Sequence, residues 1–208
     1  MSSRYIVRQQ IKDAKGTILG YEILYHGDNQ AFTSDAEAGN DLTAANTIYN
    51  FLTQSTPKVF KGTLTFMTFT TMLLMKKTPR LFDKSELVIQ IDDSVIIHPL
   101  SMHFVQQYAK EGYKIAVNEF QFSPRYLALI DSISYIKVNV KTTSDSNMQN
   151  IVEIAHSMHK QCIITNIDNE GDYKKAIAMG ADAMGSLWSR VHTLFISFHI
   201  VLPFQSCF

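Results

Sequence analysis

Two cysteines, Cys162 and Cys207, are all that the 208 residues contain, too few for a disulfide framework. Cys162 falls inside the apolar stretch Gln161-Cys162-Ile163-Ile164-Thr165. It reads as a small core residue, because no histidine or carboxylate pattern around it suggests an activated thiol. Net charge is lacking too: 19 Lys and Arg balance 19 Asp and Glu. A chain of no net charge exerts little pull on a polyanion, which argues against nucleic acid as a partner. No run of about twenty apolar residues occurs, so no membrane span is expected. Met1-Ser2-Ser3-Arg4-Tyr5 leads into a strand-like segment rather than a secretory leader, and a cytoplasmic protein is the expectation. No linker, low-complexity tract or internal repeat divides the chain. What is present is 46% apolar and 18% charged, the balance of a globular protein with one large core.

Strand-like and helix-like segments alternate. Residues 5–11 and 17–25 are rich in β-formers and flank Lys15-Gly16, which predicts an antiparallel hairpin. Residues 28–39 read as a polar loop. Asp41 then reads as the N-cap of a helix to Leu52, with Leu42, Ala45, Ile48, Tyr49 and Leu52 at helical spacing. Short apolar strands are expected at 64–69, 87–91, 114–118, 135–139 and 161–165, with a last one at 183–185. Helices are expected at 99–111, 124–129, from Ser144 or Asp145 to Lys160, and at 170–179. Gly112 and Gly180 supply two of the stops. About eight strands mostly joined by helices argue for an α/β fold with a largely parallel sheet. Periodicity alone leaves a closed barrel and an open doubly wound sheet as alternatives.

The order of short motifs points further. Gln9-Gln10-Ile11 is followed by Gly20-Tyr21-Glu22-Ile23-Leu24-Tyr25. Then come Gly112-Tyr113-Lys114-Ile115-Ala116-Val117-Asn118-Glu119-Phe120, Tyr135-Ile136-Lys137-Val138-Asn139 and Ala178-Met179-Gly180-Ala181-Asp182-Ala183-Met184-Gly185. Taken in this order and at this spacing, they resemble the EAL domains, the cyclic di-GMP phosphodiesterase family, and most of all the EAL part of EAL-HDOD proteins. The resemblance covers residues 5–190. It implies a modified TIM-like (β/α)8 barrel whose first strand runs antiparallel. It divides the chain into an EAL-like domain over 1–190 and an apolar C-terminal tail over 191–208. Active members use two divalent metals to polarise a phosphate and generate hydroxide, which takes several carboxylate oxygens.

Carried over position by position, the resemblance puts Glu22, Thr68, Gln90, Asn118 and Glu119 at the family's metal-ligand positions. Only Glu22 matches. Thr68 stands for an Asn, Gln90 for a Glu, Asn118 for the bridging Asp and Glu119 for the second Asp. Lys137 matches the family's active-site Lys, Asn139 replaces the Asp that follows it, and Asp168 stands for the second Glu of a later motif whose first Glu is missing. Met184 stands where a Gln is usual, and His26 where a substrate-binding Arg is usual. Of the remnant pocket Glu22, Gln90, Asn118, Glu119, Lys137, Asn139 and Asp168, few members are carboxylates. The expectation is therefore a catalytically inactive signalling or regulatory domain that acts through a protein partner. It needs no cofactor, and Mg or Mn only if active. The alternatives are a receptor that binds cyclic di-GMP without hydrolysis and an active metal-dependent phosphodiesterase. An unrelated barrel enzyme using Glu119 and Lys137 as acid and base has only their position in its favour.

Glu22 and Lys137 also invite a structural reading, as a buried pair across the barrel mouth. Gln90, Asn118 and Asn139 could form a neutral network where metals would sit. His156 and His159, three apart in a predicted helix, lack a third ligand and read as exposed surface. Met67, Met72 and Met75 read as packing. The tail is apolar enough to require burial, against the barrel's underside or in a homodimer.

Overall fold

The structure is a computed structural model that describes residues 5–26, 36–53, 62–121 and 123–186. Eight strands close into a barrel in the order β1 to β8. They are β1 (Tyr5–Asp13), β2 (Ile18–His26), β3 (Leu64–Thr68), β4 (Leu87–Ile91), β5 (Lys114–Val117), β6 (Tyr135–Asn139), β7 (Gln161–Ile167) and β8 (Ala183–Ser186). β1 runs antiparallel to both its neighbours, β2 and β8, and all other pairs are parallel. The expected modified barrel is therefore the observed one, and closure decides between the two sheets that periodicity left open. The hairpin turns at Lys15-Gly16, where Gly16 takes φ 81° and the Asp13 carboxylate accepts from the N–H groups of Lys15 and Thr17.

Among the described residues, six α-helices lie outside the sheet: α1 (Ala36–Thr53), α2 (Thr71–Met75), α3 (Asp93–Ile96), α4 (Pro99–Glu111), α5 (Asp145–Ser157) and α6 (Glu170–Ala178). Alternation along the strands builds two cores. Outward residues such as Ile89, Ile91, Val117, Ile136, Val138 and Ile164 pack under the helices. Inward residues Ile11, Leu64, Phe66, Val88, Ala116, Tyr135, Ile163 and Ala183 fill the barrel. Both faces of β4 and β6 are buried along their whole length, as in sheets covered on both sides.

Several expectations are corrected. α1 begins at Ala36, inside the predicted loop, and Asp41 lies within it rather than at its cap. Helix-forming Ala36, Glu37 and Ala38 extend it past Gly39. Its buried face is Ala44, Thr47, Ile48 and Phe51, whereas Leu42, Tyr49 and Leu52 are exposed. The apolar stripe and the buried stripe differ by a small rotation about the helix axis. The segment expected as a helix at 124–129 is not an α-helix; it holds a 3-10 turn at Pro124–Tyr126, with a second following at Ile130–Ser132. Ser144, not Asp145, caps α5, and Asn169 caps α6. His159 lies beyond α5 with φ 57°, so it shares no helix face with His156, which instead meets Asp182 at 2.9 Å. Met67 is buried, but Met75 is exposed. The 191–208 tail lies outside the described residues. No helix among the described residues is long and apolar enough to cross a membrane.

Candidate functional site

The same alternation that fills the barrel builds the site. Two residues beyond Phe66, Val88, Ala116, Tyr135 and Ile163, on the same inward face, stand Thr68, Gln90, Asn118, Lys137 and Thr165. From the antiparallel pair come Gln9 and Glu22, opposite one another in the register. Above the apolar layer the barrel thus carries a polar layer. It opens into a cleft of about 480 Å³ lined by Gln9, Glu22, Leu24, Thr68, Asn118, Glu119, Lys137 and Thr165 and by loop residues Asp92, Asp93, Ser94, Gln121 and Asn166.

An ion pair closes the floor. Lys137 Nζ lies 2.5 Å from Glu22 Oε1, with the two side chains 4% and 10% exposed. The same ammonium donates to Gln90 Oε1 at 2.5 Å, while Gln90 Nε2 donates to Glu22 Oε1 at 3.0 Å and to Thr68 Oγ1 at 3.4 Å. The buried Glu22–Lys137 pair across the barrel mouth is therefore present. The three amides, however, form no single network. Gln90 joins the ion pair, Asn139 donates to Glu119 Oε1 at 3.1 Å, and Asn118 Oδ1 is buried without a partner among the described residues. Gln9 Nε2, in a residue 4% exposed, is likewise buried and unpartnered.

Asp168 stands apart from this group. It is exposed, pairs with Lys141 at 2.7 Å and does not line the cleft. The Lys141 ammonium holds its carboxyl below the usual range. Met184 is buried in the core under the helices, and the side chain of His26 is outside the described set. Among the described residues, no three His, Cys, Asp or Glu side chains are grouped to hold a metal ion.

The sequence reading missed Asp92 and Asp93. Asp92 caps α3, accepting from Ser94 N at 3.0 Å and Ser94 Oγ at 2.6 Å. Asp93 pairs with Arg125 at 2.6 Å and accepts from the Tyr126 hydroxyl. Burial and this carboxylate push the Tyr126 phenol up. Asp92 could have been found: it continues the inward parity of Val88 and Gln90. Glu119 and Asn166, both lining the cleft, take φ 47° and 61°, a region sparsely populated for non-glycine residues that Lys77 and His159 also occupy away from it.

Cys162 is fully buried, and burial pushes its thiol up to about 12. In a Cys207→Ser variant, no labelling by a thiol reagent is therefore expected at pH 8 until the chain unfolds. Fast native-state labelling would contradict this packing.

Comparison with known proteins agrees with the architecture. No protein-family model matches the sequence. The uncharacterized protein YuxH of Bacillus subtilis is 25% identical over 181 residues, covering 85% of this chain and 44% of the relative. The cyclic di-GMP phosphodiesterase CdgJ of Vibrio cholerae is 22% identical over 179 residues, covering 85% and 41%. The chain thus spans less than half the length of the curated relatives it matches. Among solved structures, the PaMucR phosphodiesterase in its cyclic di-GMP complex superimposes with a TM-score of 0.71 at 12% identity, covering 89% of this chain and 95% of that one. The Bacillus subtilis YkuI protein with an EAL domain, in complex with cyclic di-GMP and calcium, gives 0.68 at 16% identity, covering 91% and 55%. Strand order, the antiparallel first strand and these superpositions together give the chain the fold of the EAL domains.

Proposed function

We propose that this domain is a catalytically inactive EAL-like regulatory module that works by binding a protein partner. One observation carries the reading: the cation that Glu22 faces is the protein's own. Lys137 sits on Glu22 and Gln90 at once, and Glu22 Oε1 accepts from both Lys137 and Gln90. Two Mg or Mn ions would need several anionic oxygens converging on them. At the five ligand positions that the resemblance implies, Thr68, Gln90 and Asn118 bring no charge, Glu22 is neutralised by Lys137, and Glu119 is exposed and held by Asn139. These residues do not fit a two-metal group.

A second reading, a cyclic di-GMP receptor without turnover, draws on Gln9 Nε2 and Asn118 Oδ1, which have no partner among the described residues, and on the cyclic di-GMP complexes of the structural neighbours.

Calorimetry with cyclic di-GMP and Mn²⁺, run alongside product analysis, separates the readings. Neither heat nor product is expected. Linearised product would sink the inactive reading, and saturable heat without product would move the assignment to the receptor.

A further inference from the structure

The cleft is acidic although the chain is neutral. Among its lining residues are four carboxylates, Glu22, Asp92, Asp93 and Glu119, and one ammonium, Lys137. Two of the four are compensated, Glu22 by Lys137 and Asp93 by Arg125. Asp92 and Glu119 have no cation against them among the described residues. Asp92 accepts only from Ser94, and Glu119 from the neutral Asn139 amide. Independently of charge, Gln9 is 4% exposed and lines the cleft, and among the described residues its Nε2 has no acceptor and the buried Asn118 Oδ1 has no donor. Buried polar groups of this kind are normally satisfied. The missing occupant must therefore bring an acceptor for Gln9, a donor for Asn118 and positive charge for Asp92 and Glu119.

That combination discriminates between chemical classes. A phosphate supplies acceptors only, and its negative charge would meet Asp92 and Glu119. A bare cation supplies no acceptor. A guanidinium on a peptide supplies a fork of N–H donors with a fixed positive charge, and the adjoining backbone supplies carbonyl acceptors. Resting on the regulatory reading above, we propose that the barrel mouth receives an arginine side chain projecting from the partner protein, with its charge met by Asp92 and Glu119.

The test uses the full chain and follows backbone amide resonances as acetyl-Gly-Arg-Gly-amide is added. The same peptide with citrulline, which keeps the shape and loses the charge, is the control. The expected result is saturable shifts at Asn118, Glu119 and Asn166 that weaken with added salt and are absent with citrulline. Affinity should fall about fivefold or more in Glu119→Gln. Glu119 is exposed, so unshifted resonances elsewhere will verify that this variant folds. Equal shifts from both peptides, or none at the cleft from either, overturn the arginine site. Cyclic di-GMP with Mn²⁺ is added to a second sample. If it is neither bound nor cleaved, a peptide failure leaves the regulatory reading standing. If it is cleaved, the regulatory reading falls, and this inference with it.

Discussion

Lys137→Met will lower the stability of the domain by about 3–5 kcal/mol, because it leaves the Glu22 carboxylate buried without its cation. The pair is 2.5 Å long with side chains 4% and 10% exposed, so solvent screens it little. Gln90 loses the donor to its Oε1 in the same step, which compounds the cost. The loss should appear as a lower urea midpoint with an unchanged slope. Replacing both partners, as Glu22→Leu with Lys137→Met, should cost less than the single change, since two desolvated charges leave together. A single-variant loss under about 1 kcal/mol would mean that the pair behaves as a solvated one and that the floor is open to water. That result would also weaken the regulatory reading, which rests on the protein's own ammonium holding this position.

Gly20→Ala will destabilise by about 1–3 kcal/mol or more, because the added methyl has no space. A Cβ there would lie 2.3 Å from the carbonyl oxygen of Leu64 and 2.9 Å from its carbonyl carbon. The obstacle is the backbone of β3, paired directly with Gly20, and it can yield only if β2 and β3 separate. Glu22, two residues on, would move with β2, so the floor of the cleft should loosen as well. Gly185 provides the contrast. A Cβ there meets Thr165 Cγ2 at 3.5 Å, an ordinary contact, so Gly185→Ala should cost well under about 1 kcal/mol. Both glycines belong to motifs of the family resemblance, yet only Gly20 is sterically required. Equal urea midpoints for the two variants would refute this distinction.

Local chemistry explains which parts of the fold were readable. The Lys15-Gly16 turn, the short apolar strands and the stops at Gly112 and Gly180 are written in neighbouring residues, and all occur in the structure. The segment after Pro124 was misread as a helix because its residues tolerate one, whereas packing draws it into two tight turns that carry Tyr126 to Asp93. The buried face of α1 was misread because apolar content and burial diverge on that helix. Leu42, Tyr49 and Leu52 point outward, and Thr47 points inward.

The site divides in the same way. The neutral character of Thr68, Gln90 and Asn118, and their placement on one inward face, are properties of composition and of the two-residue period of a strand. The sequence by itself therefore determined that a polar layer poor in carboxylates would sit above an apolar one. Only the tertiary structure decided what that layer does. Lys137 reaches Glu22 across 115 residues and Gln90 across 47, Asp168 turns away to Lys141, and Asp92 and Glu119 are left facing the cleft with no cation among the described residues. Contacts between such distant positions leave no local pattern. They arise when the barrel closes and burial obliges the charges inside it, Glu22 and Lys137, to pair.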